Sequence, residues 1–279
     1  LYRNVNAFRP CPKDRMLVVK TSGFGGDTNK IMQARLKELQ QFAAVLEITT
    51  NKLTWSVSQT VLPYPAFIAK ADKFVSQPSS ANIHLESVFY PAYKSSNVLA
   101  YLPAAQKAKN KPYIVLTAHY DHLGITSKDR NGNTLTDSIF NGANDDAAGT
   151  TAMMVLAKYF KALGNNERTL VFAAFTAEEV GGFGATYFSN QLDPAKVIAM
   201  FNLEMIGTES KWGKNSAYIT GYEKTNMGEI LQRNLEGSAF KFYPDPYTDQ
   251  NLFYRSDNAT LARLGVPAHT ISTSKMDSE

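Results

Sequence analysis

Acidic side chains and imidazoles recur in four short segments of this chain, at points where apolar runs end. The sequence HYDHLG occupies residues 119–124, directly after an apolar run at 113–118, and two acidic pairs follow at 145–146 and 178–179. A further acid, Glu204, stands at the end of another apolar run. Imidazole nitrogens and carboxylate oxygens are common ligands of zinc. Because several carboxylates in one place need a compensating charge, the pattern predicts a metal site.

The first two segments each allow a structural interpretation beside the metal one. His119 is followed two residues later by Asp121, and a ligating imidazole usually donates its other ring proton to such a carboxylate. His122 is the weaker ligand candidate, and we interpret it as support for the loop. Asp145 and Asp146 could simply cap a helix that is predicted to begin nearby. In a tight turn, however, one of these carboxylates can point into the site and bridge two cations.

The pair Glu178 and Glu179 predicts a division of roles if both side chains enter the site. One would ligate metal, while the other would act as general base and then as acid toward the leaving amine. The alternative is a solvated loop with two surface acids. Glu204 lies between apolar neighbours, Leu203 and Met205, where burial would strongly penalise an unpaired carboxylate.

Strands and helices alternate around these clusters. Strands are predicted at 97–102, 113–117, 169–175, 197–203 and 267–272. The strongest predicted helix is 147–163, ending at Gly164, with helical spacing at Thr151, Met154, Val155, Lys158 and Ala162. Such alternation predicts an α/β fold in which a mixed, mostly parallel sheet is sandwiched by helices. Ligands bind at the carboxyl ends of these strands, so the clusters should meet at one edge of the sheet.

Two domains are predicted, a small α/β module at 1–85 and the domain with the acidic clusters at 86–279. In the module, strands are predicted at 16–20, 44–48 and 65–69. Asp27 could cap a helix between the first two, with apolar positions at Met32, Leu36, Leu39 and Ala43. We assign no chemistry to this module.

Length and composition exclude several classes of protein. A chain of 279 residues, 44% of them hydrophobic, can bury a large core. The net charge of +4, from 29 basic and 25 acidic residues, is too small to indicate nucleic-acid binding. No run reaches the ~18 apolar residues of a membrane-spanning helix. The single cysteine, Cys11, excludes an intrachain disulfide and cannot by itself form a thiolate metal site.

The chain begins without Met, and residues 1–6 lack the basic-then-apolar pattern of a signal peptide. We therefore expect that an upstream segment has been removed and that the protein is exported to the periplasm, the medium or the cell surface. The oligomeric state is left open by the sequence.

Five motifs resemble, in order and approximate spacing, those of the co-catalytic di-zinc aminopeptidase family. This family contains bacterial leucyl aminopeptidases, glutamate carboxypeptidase and, as a mononuclear branch, glutaminyl cyclases. The motifs are His119-x-Asp121, GANDDAAG at 142–149, Glu178-Glu179, NLEMIG at 202–207, and Ser256-Asp257 followed by Gly-Val-Pro at 265–267. The resemblance covers roughly residues 87–274 and implies the zinc exopeptidase fold. The module at 1–85 weakly resembles a protease-associated insert.

The resemblance implies a role for each residue of the motifs. His119 and Glu204 would bind one zinc and Glu179 the other, with Asp145 as the bridge. The remaining implied roles are those of Glu178 as general base, Asp121 as orienting partner of His119, and Asp146 as the residue after a peptide bond that is often cis in the family. Many members of the family carry Asp at the position of Glu204.

A departure from the family concerns its last ligand, a histidine beyond the Gly-Val-Pro strand. This chain has no such histidine before Glu279, and His269 lies within the predicted strand. Two zinc ions are therefore expected in the complete protein, and one or none in this chain.

The implied function is that of a zinc-dependent exopeptidase. Such an aminopeptidase hydrolyses N-terminal residues from peptides with a metal-activated water and a glutamate general base, so a peptide is the expected partner. The alternatives are an enzyme like the glutaminyl cyclases and a non-catalytic homologue that has lost a metal ligand. Retention of Glu178 beside His119, Asp145 and Glu179 favours an enzyme.

Overall fold

The computed structural model describes residues 15–20, 42–50, 53, 62, 64–73, 84, 93–105, 112–126 and 134–276. The chain divides between Tyr90 and Pro91 into two compact units. The boundary expected from the sequence was after residue 85. Among the described residues, no helix combines the length and the apolar character that crossing a membrane requires.

The first unit contains a parallel three-stranded sheet in chain order. Its strands are β1 (Met16–Lys20), β2 (Ala44–Thr49) and β3 (Ala66–Lys70), close to the three predicted strands. Leu17 and Val19 of β1 are buried because alternate residues of a strand face the same side. The helix predicted from Asp27 to Ala43 falls almost entirely outside the described residues. The likeness of this unit to a protease-associated insert stays a prediction.

The second unit is built on a seven-stranded sheet with helices on both faces. Its elements are β4 (Val98–Leu102), β5 (Tyr113–His119), β6 (Gly124–Ile125), β7 (Ile139–Phe140), α1 (Gly149–Leu163), β8 (Leu170–Phe175), α2 (Phe183–Gln191), β9 (Val197–Leu203), β10 (Ser216–Ile219), α3 (Met227–Asn234), β11 (Lys241–Pro244), α4 (Asn258–Ala262) and β12 (Ala268–Ser272). All five strands predicted for this unit are present.

The strand order of the large sheet is β11-β10-β12-β9-β5-β8-β4. Its four central strands, β12, β9, β5 and β8, run parallel. At the margins, β4 is antiparallel to β8, and β10 is antiparallel to β12 but parallel to β11. This is the mixed, mostly parallel sheet that the alternation of elements predicts.

The core lies on both faces of the central strands. In β8, Leu170, Phe172 and Ala174 belong to the cluster that includes Met153 of α1. The alternate residues Val171, Ala173 and Phe175 belong to a second cluster, which includes side chains of α2 and α4. Burial on both faces explains why β8 is apolar throughout rather than alternating.

Helix α1 is present where the sequence predicts it, but it faces the sheet with a different side. It ends at Gly164, whose φ of 64° is left-handed and whose N–H donates to the carbonyl of Phe160. Met153 is buried against the sheet, whereas Met154 and Val155 of the predicted apolar stripe are 64% and 60% exposed. Apolar residues occupy two adjacent rows of this helix, so the periodicity identified a helix without identifying its buried face.

Candidate metal centre

The predicted site residues meet at the carboxyl ends of three neighbouring parallel strands. His119 is the last residue of β5, Glu204 directly follows β9, and Glu178 comes three residues after β8. Asp145 lies in a turn over Ala143–Ala148 that leads into α1. The structure therefore brings these residues to one edge of the sheet, where α/β proteins bind their ligands.

The turn before α1 separates the carboxylates of Asp145 and Asp146. The peptide bond between these residues is cis, as the family resemblance implies, and both have non-helical backbone angles. Asp146 is 1% exposed and its carboxylate accepts three backbone N–H groups, from His119 at 3.3 Å and from Gly149 and Met205 at 3.1 Å each. It thus ties together β5, the start of α1 and the loop after β9.

The burial of Asp146 has two consequences. Desolvation raises its pKa to about 7, although the three N–H donors by themselves favour the charged form. The approach of α1 is also so close that a Cβ at Gly149 would overlap the carbonyl of Leu203 and crowd the Asp146 carboxylate. Glycine at position 149 is therefore required for the helix to begin beside this carboxylate.

The first ligand group consists of His119, Asp145 and Glu204, whose candidate ligand atoms all lie within 4.8 Å of one another. Nε2 of His119 and Oδ1 of Asp145 are 3.0 Å apart and form an ion pair when the imidazole is protonated, but they do not have hydrogen-bond geometry, and neither buried atom has a hydrogen-bond partner. A buried unsatisfied polar atom costs about 1–3 kcal/mol. A cation bound by both atoms would remove this cost, and one imidazole with two carboxylates is a donor set that suits zinc.

Asp121 contacts both His119 and the loop that carries the glutamate pair. Nδ1 of His119 lies 3.0 Å from the backbone carbonyl oxygen of Asp121 and 3.7 Å from its carboxylate. That carboxylate instead accepts the N–H groups of Glu178 at 3.1 Å and Glu179 at 3.2 Å. Asp121 therefore contacts the histidine through its backbone carbonyl, with its carboxylate nearby, and holds the glutamate pair with its side chain; its role as orienting partner of His119 stays a prediction.

Two pKa shifts accompany this arrangement. Burial alone would lower the pKa of His119, but the carboxylates of Asp121 and Asp145 raise it to about 12. Burial alone would raise the pKa of Asp121, but His119 and the N–H groups of Glu178 and Glu179 lower it below its ordinary value. Without metal the raised pKa favours the charged imidazolium, in which both ring nitrogens carry a proton. A cation that binds to Nε2 displaces the proton on that nitrogen.

The second ligand group consists of His122, Asp145 and Glu179, also with candidate ligand atoms within 4.8 Å of one another. Nδ1 of His122 lies 2.6 Å from Oε1 of Glu179 and 3.9 Å from Oδ2 of Asp145. The sequence analysis interprets His122 as support for the loop, whereas the structure places its ring within the candidate site. Asp145 belongs to both groups and directs a different oxygen to each, as a bridging carboxylate does.

Glu204 is held by two polar neighbours that received no role from the sequence. Its Oε2 accepts a hydrogen bond from Nδ2 of Asn202 at 3.1 Å and another from Oγ of Ser256. Burial, followed by the negative charge of Glu178, raises its pKa well above the ordinary value. The cost of burying this carboxylate, which was anticipated from its apolar neighbours, is thus partly offset by two donors. In the sequence, the features that point to these two residues are the spacing Asn202-x-Glu204 and the Ser256-Asp257 motif.

Glu178 lines the same cleft but belongs to neither ligand group. Burial raises its pKa to about 7, and the negative charges of Glu179 and Asp145 act in the same direction. The pKa of Glu179 is also raised, first by burial and then by Asp145. The assignment of Glu178 as base and Glu179 as ligand stays a prediction, in accord with this placement.

His269 has a structural role. Its Nδ1 lies 2.8 Å from the carbonyl oxygen of Thr220, its Nε2 lies 2.7 Å from Oγ1 of Thr225, and the residue is 1% exposed. Because both ring nitrogens are engaged, this histidine does not serve as a metal ligand, in agreement with its interpretation as a strand residue.

The cleft at the metal centre has a volume of about 180 Å³. Its lining combines the acids of the site with apolar, hydroxyl and basic side chains: Asp145, Glu178, Glu179, Glu204, Met205, Tyr218, Thr220, Leu252, Arg255, Ser256, Thr270, Ser272, Ser274 and Met276. A larger cavity of about 360 Å³ between α1 and the sheet contains none of the candidate ligands. The smaller cleft is the candidate active site, because the candidate metal ligands line it.

Known peptidases are similar to this chain in sequence. The profile of peptidase family M28 matches residues 97–279. Aminopeptidase YwaD of Bacillus subtilis (strain 168) is 26% identical over 145 residues, which are 51% of this chain and 28% of that protein. Probable leucine aminopeptidase 2 of Arthroderma benhamiae is 31% identical over 139 residues, which are 47% of this chain and 28% of that protein.

Solved aminopeptidases have a similar fold. An aminopeptidase from Aneurinibacillus sp. strain AM-1 has a TM-score of 0.56 at 16% identity, over 93% of this chain and 60% of that one. A zinc aminopeptidase from Bacillus subtilis has a TM-score of 0.53 at 15% identity, over 98% of this chain and 63% of that one. The chain thus spans less than two-thirds of the length of these relatives. Because the family profile covers more than half of the chain, the protein is a member of peptidase family M28.

Proposed function

We propose that the protein is a zinc-dependent aminopeptidase, which removes N-terminal residues from peptides by hydrolysis. The observation that carries this proposal is the pair of ligand groups that share Asp145, beside a carboxylate, Glu178, that belongs to neither. Relatives named as aminopeptidases support the same reaction. The chain matches only part of the length of each relative. The activity of the whole protein is therefore part of what we propose.

The donor atoms of both groups suit zinc. His119, Asp145 and Glu204 would hold one ion, and Asp145 with Glu179 would hold the second. His122 is the imidazole that the described residues place at the second group, while the family resemblance predicts a further histidine beyond Glu279. Bound zinc supplies Lewis acidity, which polarises a carbonyl oxygen and makes water easier to deprotonate.

Glu178 is the residue that would move the proton. In the proposed reaction, its carboxylate accepts a proton from the attacking water and donates it to the amine of the departing peptide. Its backbone N–H donates to the carboxylate of Asp121 at 3.1 Å, which fixes the start of the loop that carries it. A base held on a rigid support keeps its distance to the reacting atoms, and this distance governs its efficiency.

The two alternatives fit the site less well. A reaction like that of the glutaminyl cyclases belongs to the mononuclear branch of the family, whereas this chain carries two ligand groups. A non-catalytic homologue would not need an unligated glutamate in an open cleft beside the ligands. Both alternatives make distinct predictions in the same assay.

The test is a hydrolysis screen of aminoacyl reporter amides with zinc-free and zinc-loaded protein. We expect hydrolysis that requires zinc. In Glu178→Gln, we expect kcat to fall about 10²- to 10⁴-fold, the usual contribution of a general base, with the zinc content unchanged. Glu229→Gln, on the exposed side of α3, is the matched control and should behave like the unmodified protein.

Three outcomes would contradict parts of the proposal. Loss of zinc from Glu178→Gln would reverse the roles of Glu178 and Glu179. Release of ammonia from peptides that begin with glutamine, without peptide-bond cleavage, would indicate a cyclase. Absence of both reactions in protein with bound zinc would indicate a non-catalytic homologue.

A further inference from the structure

A layer of buried polar side chains lies in the large sheet between the apolar core and the metal centre. Thr117 of β5, Asn202 of β9 and Thr270 of β12 are register partners and are at most 3% exposed. Two residues earlier on the same strands, the register partners belong to the apolar core: Val115, Met200 and Ala268. Because buried polar groups are costly unless hydrogen-bonded, the bonds of this polar layer indicate its use.

The amide of Asn202 is the centre of the polar layer. Its Oδ1 accepts the hydroxyl hydrogen of Thr117 at 2.7 Å. Its Nδ2 donates to three oxygens, Oγ of Ser256 at 2.7 Å and, at 3.1 Å each, Oε2 of Glu204 and Oγ1 of Thr270. The amide thus has its oxygen toward β5 and its nitrogen toward the carboxylate of the first ligand group.

This orientation of the amide is the one that can hold Glu204. An ionised carboxylate only accepts hydrogen bonds, so a turned amide would place Oδ1 of Asn202 against Oε2 of Glu204. The bond from Nδ2 to Ser256 has a second effect, because Oγ of Ser256 then directs its single hydrogen to Oε2 as well. Asn202 therefore controls both donors to Oε2. Among the described residues no donor reaches Oε1, so this oxygen is available to a cation.

Thr117 fixes the orientation from the other end of the amide. In the part of the chain that the structure describes, its hydroxyl is the donor that reaches Oδ1 of Asn202. A buried carbonyl oxygen without a donor is costly, so loss of the hydroxyl would destabilise this orientation. Thr270 does not share the role, because it contacts the nitrogen end and donates its own hydrogen to Oδ1 of Asn258 at 2.8 Å.

We propose that Thr117 is a positioning residue of the metal centre, because its hydroxyl holds the Asn202 amide in the orientation that keeps Glu204 in place for a cation. The inference rests on zinc binding at the first ligand group, which is part of the function proposed above, but it does not depend on hydrolysis. It gives a use in the metal centre to a strand residue that lies outside all five sequence motifs.

The experiment compares zinc affinity with stability in variants of the polar layer. Thr117→Val keeps the shape of the side chain and removes the hydroxyl. We expect its tighter zinc to bind about tenfold more weakly, the lower end of the effect of losing a residue that supports a ligand. Thr117→Ser restores the hydroxyl and should bind zinc like the unmodified protein. Competition with a chromophoric chelator measures the zinc Kd, and thermal unfolding of the zinc-free protein measures its stability.

Thr270→Val is the matched control from the same layer. It also removes a buried hydroxyl that donates to an asparagine oxygen, but it leaves the contact between Thr117 and Asn202 intact. The two amide hydrogens keep Ser256 and Glu204 as acceptors. We therefore expect Thr270→Val to lower the Tm of the zinc-free protein without weakening zinc binding. If the layer were only structural, both valine variants would weaken zinc binding in proportion to their loss of Tm.

Unchanged zinc affinity in Thr117→Val would overturn the inference, and so would an equal loss of affinity in Thr117→Ser or in Thr270→Val. Should Thr117→Val not fold, Thr117→Ala removes the same hydroxyl and carries the same expectation. Failure of the proposed function is recognised separately. Unmodified protein that binds no zinc would contradict that function and this inference with it, whereas zinc binding that is the same in Thr117→Val contradicts the inference alone.

Discussion

The two ligand groups of the metal centre use the same kinds of side chain and share Asp145, yet their surroundings differ. The side chain of His119 is 1% exposed, and its Nε2 has no hydrogen-bond partner. The side chain of His122 is 21% exposed, and its Nδ1 lies 2.6 Å from Glu179. A cation at the first group therefore satisfies buried atoms but displaces a proton from His119, whereas at the second it replaces the hydrogen bond between His122 and Glu179.

Residue type alone therefore does not determine the metal affinity of a ligand group. Burial removes water from the first group before the metal arrives, and the contact between His119 and the backbone of Asp121 sets the direction of the imidazole. We therefore expect the first group to fill with zinc at lower concentration than the second.

The largest effect is expected for His119→Ala. This change removes the imidazole of the buried group and leaves Asp145 and Glu204 without a nitrogen partner. Because even residues that only support a ligand cost about 10- to 100-fold in metal affinity, we expect at least that loss for the tighter zinc. Elemental analysis after dialysis against graded zinc buffers measures it. Retention of the tighter ion in this variant would show that the first group is not the stronger site.

A smaller effect is expected for His122→Ala. The tighter zinc should stay, while binding of the weaker ion should fall about tenfold if His122 ligates it or orients Glu179. Cobalt substitution distinguishes these roles, because loss of a nitrogen ligand changes the absorption spectrum of the second ion much more than a reoriented carboxylate does. Unchanged affinity for the second ion would mean that His122 supports the loop, as the sequence suggested.

The smallest effect is expected in the pH dependence of stability without metal. Glu178 and Asp146 have pKa values of about 7 in the folded protein, above their ordinary values of 4.5 and 3.8. The folded state therefore holds these protons more tightly, and stability is lost as the pH rises from about 4.5 to 7. The raised pKa of His119 causes a further loss of stability as the pH rises above 6.5.

Thermal unfolding from pH 4.5 to 7.5 tests this pH dependence. The Tm of the zinc-free protein should fall by a few degrees over this range, and Glu178→Gln should fall less. With zinc present the trend should reverse, because the ligands bind the ion in their deprotonated forms. A zinc-free Tm that rises with pH would contradict the assigned shifts.

Much of the fold was predictable because its signals are local. The three strands of the small sheet and five of the seven strands of the large sheet lie within two residues of their predicted ends, since apolar runs and their flanking turns are properties of short segments. The sequence analysis did not predict β10 and β11. The gathering of His119, Asp145, Glu178, Glu179 and Glu204 at one edge also followed, because parallel strands end at the same edge. The export of the protein and a histidine ligand beyond Glu279 stay predictions.

Other features depended on contacts between distant parts of the chain. Helix α1 has two apolar rows, and only packing against β5 and β8 decided which one is buried. The partners of the Asp121 carboxylate could likewise not be predicted from the sequence, because the N–H groups that donate to it are 57 and 58 residues away. Spacing along the sequence carries no information about such pairs.

The sequence alone identifies the groups that can do chemistry, the strands that carry them, and the edge of the sheet to which those groups belong. Only contacts between distant segments show that His122 faces Glu179, that Asn202 and Ser256 hold Glu204, and that Arg255 lines the cleft. The physical reason is the range of the interactions. Hydrophobic periodicity acts within one element, whereas hydrogen bonds and ion pairs depend on ångström-scale distances that the packing of several elements sets.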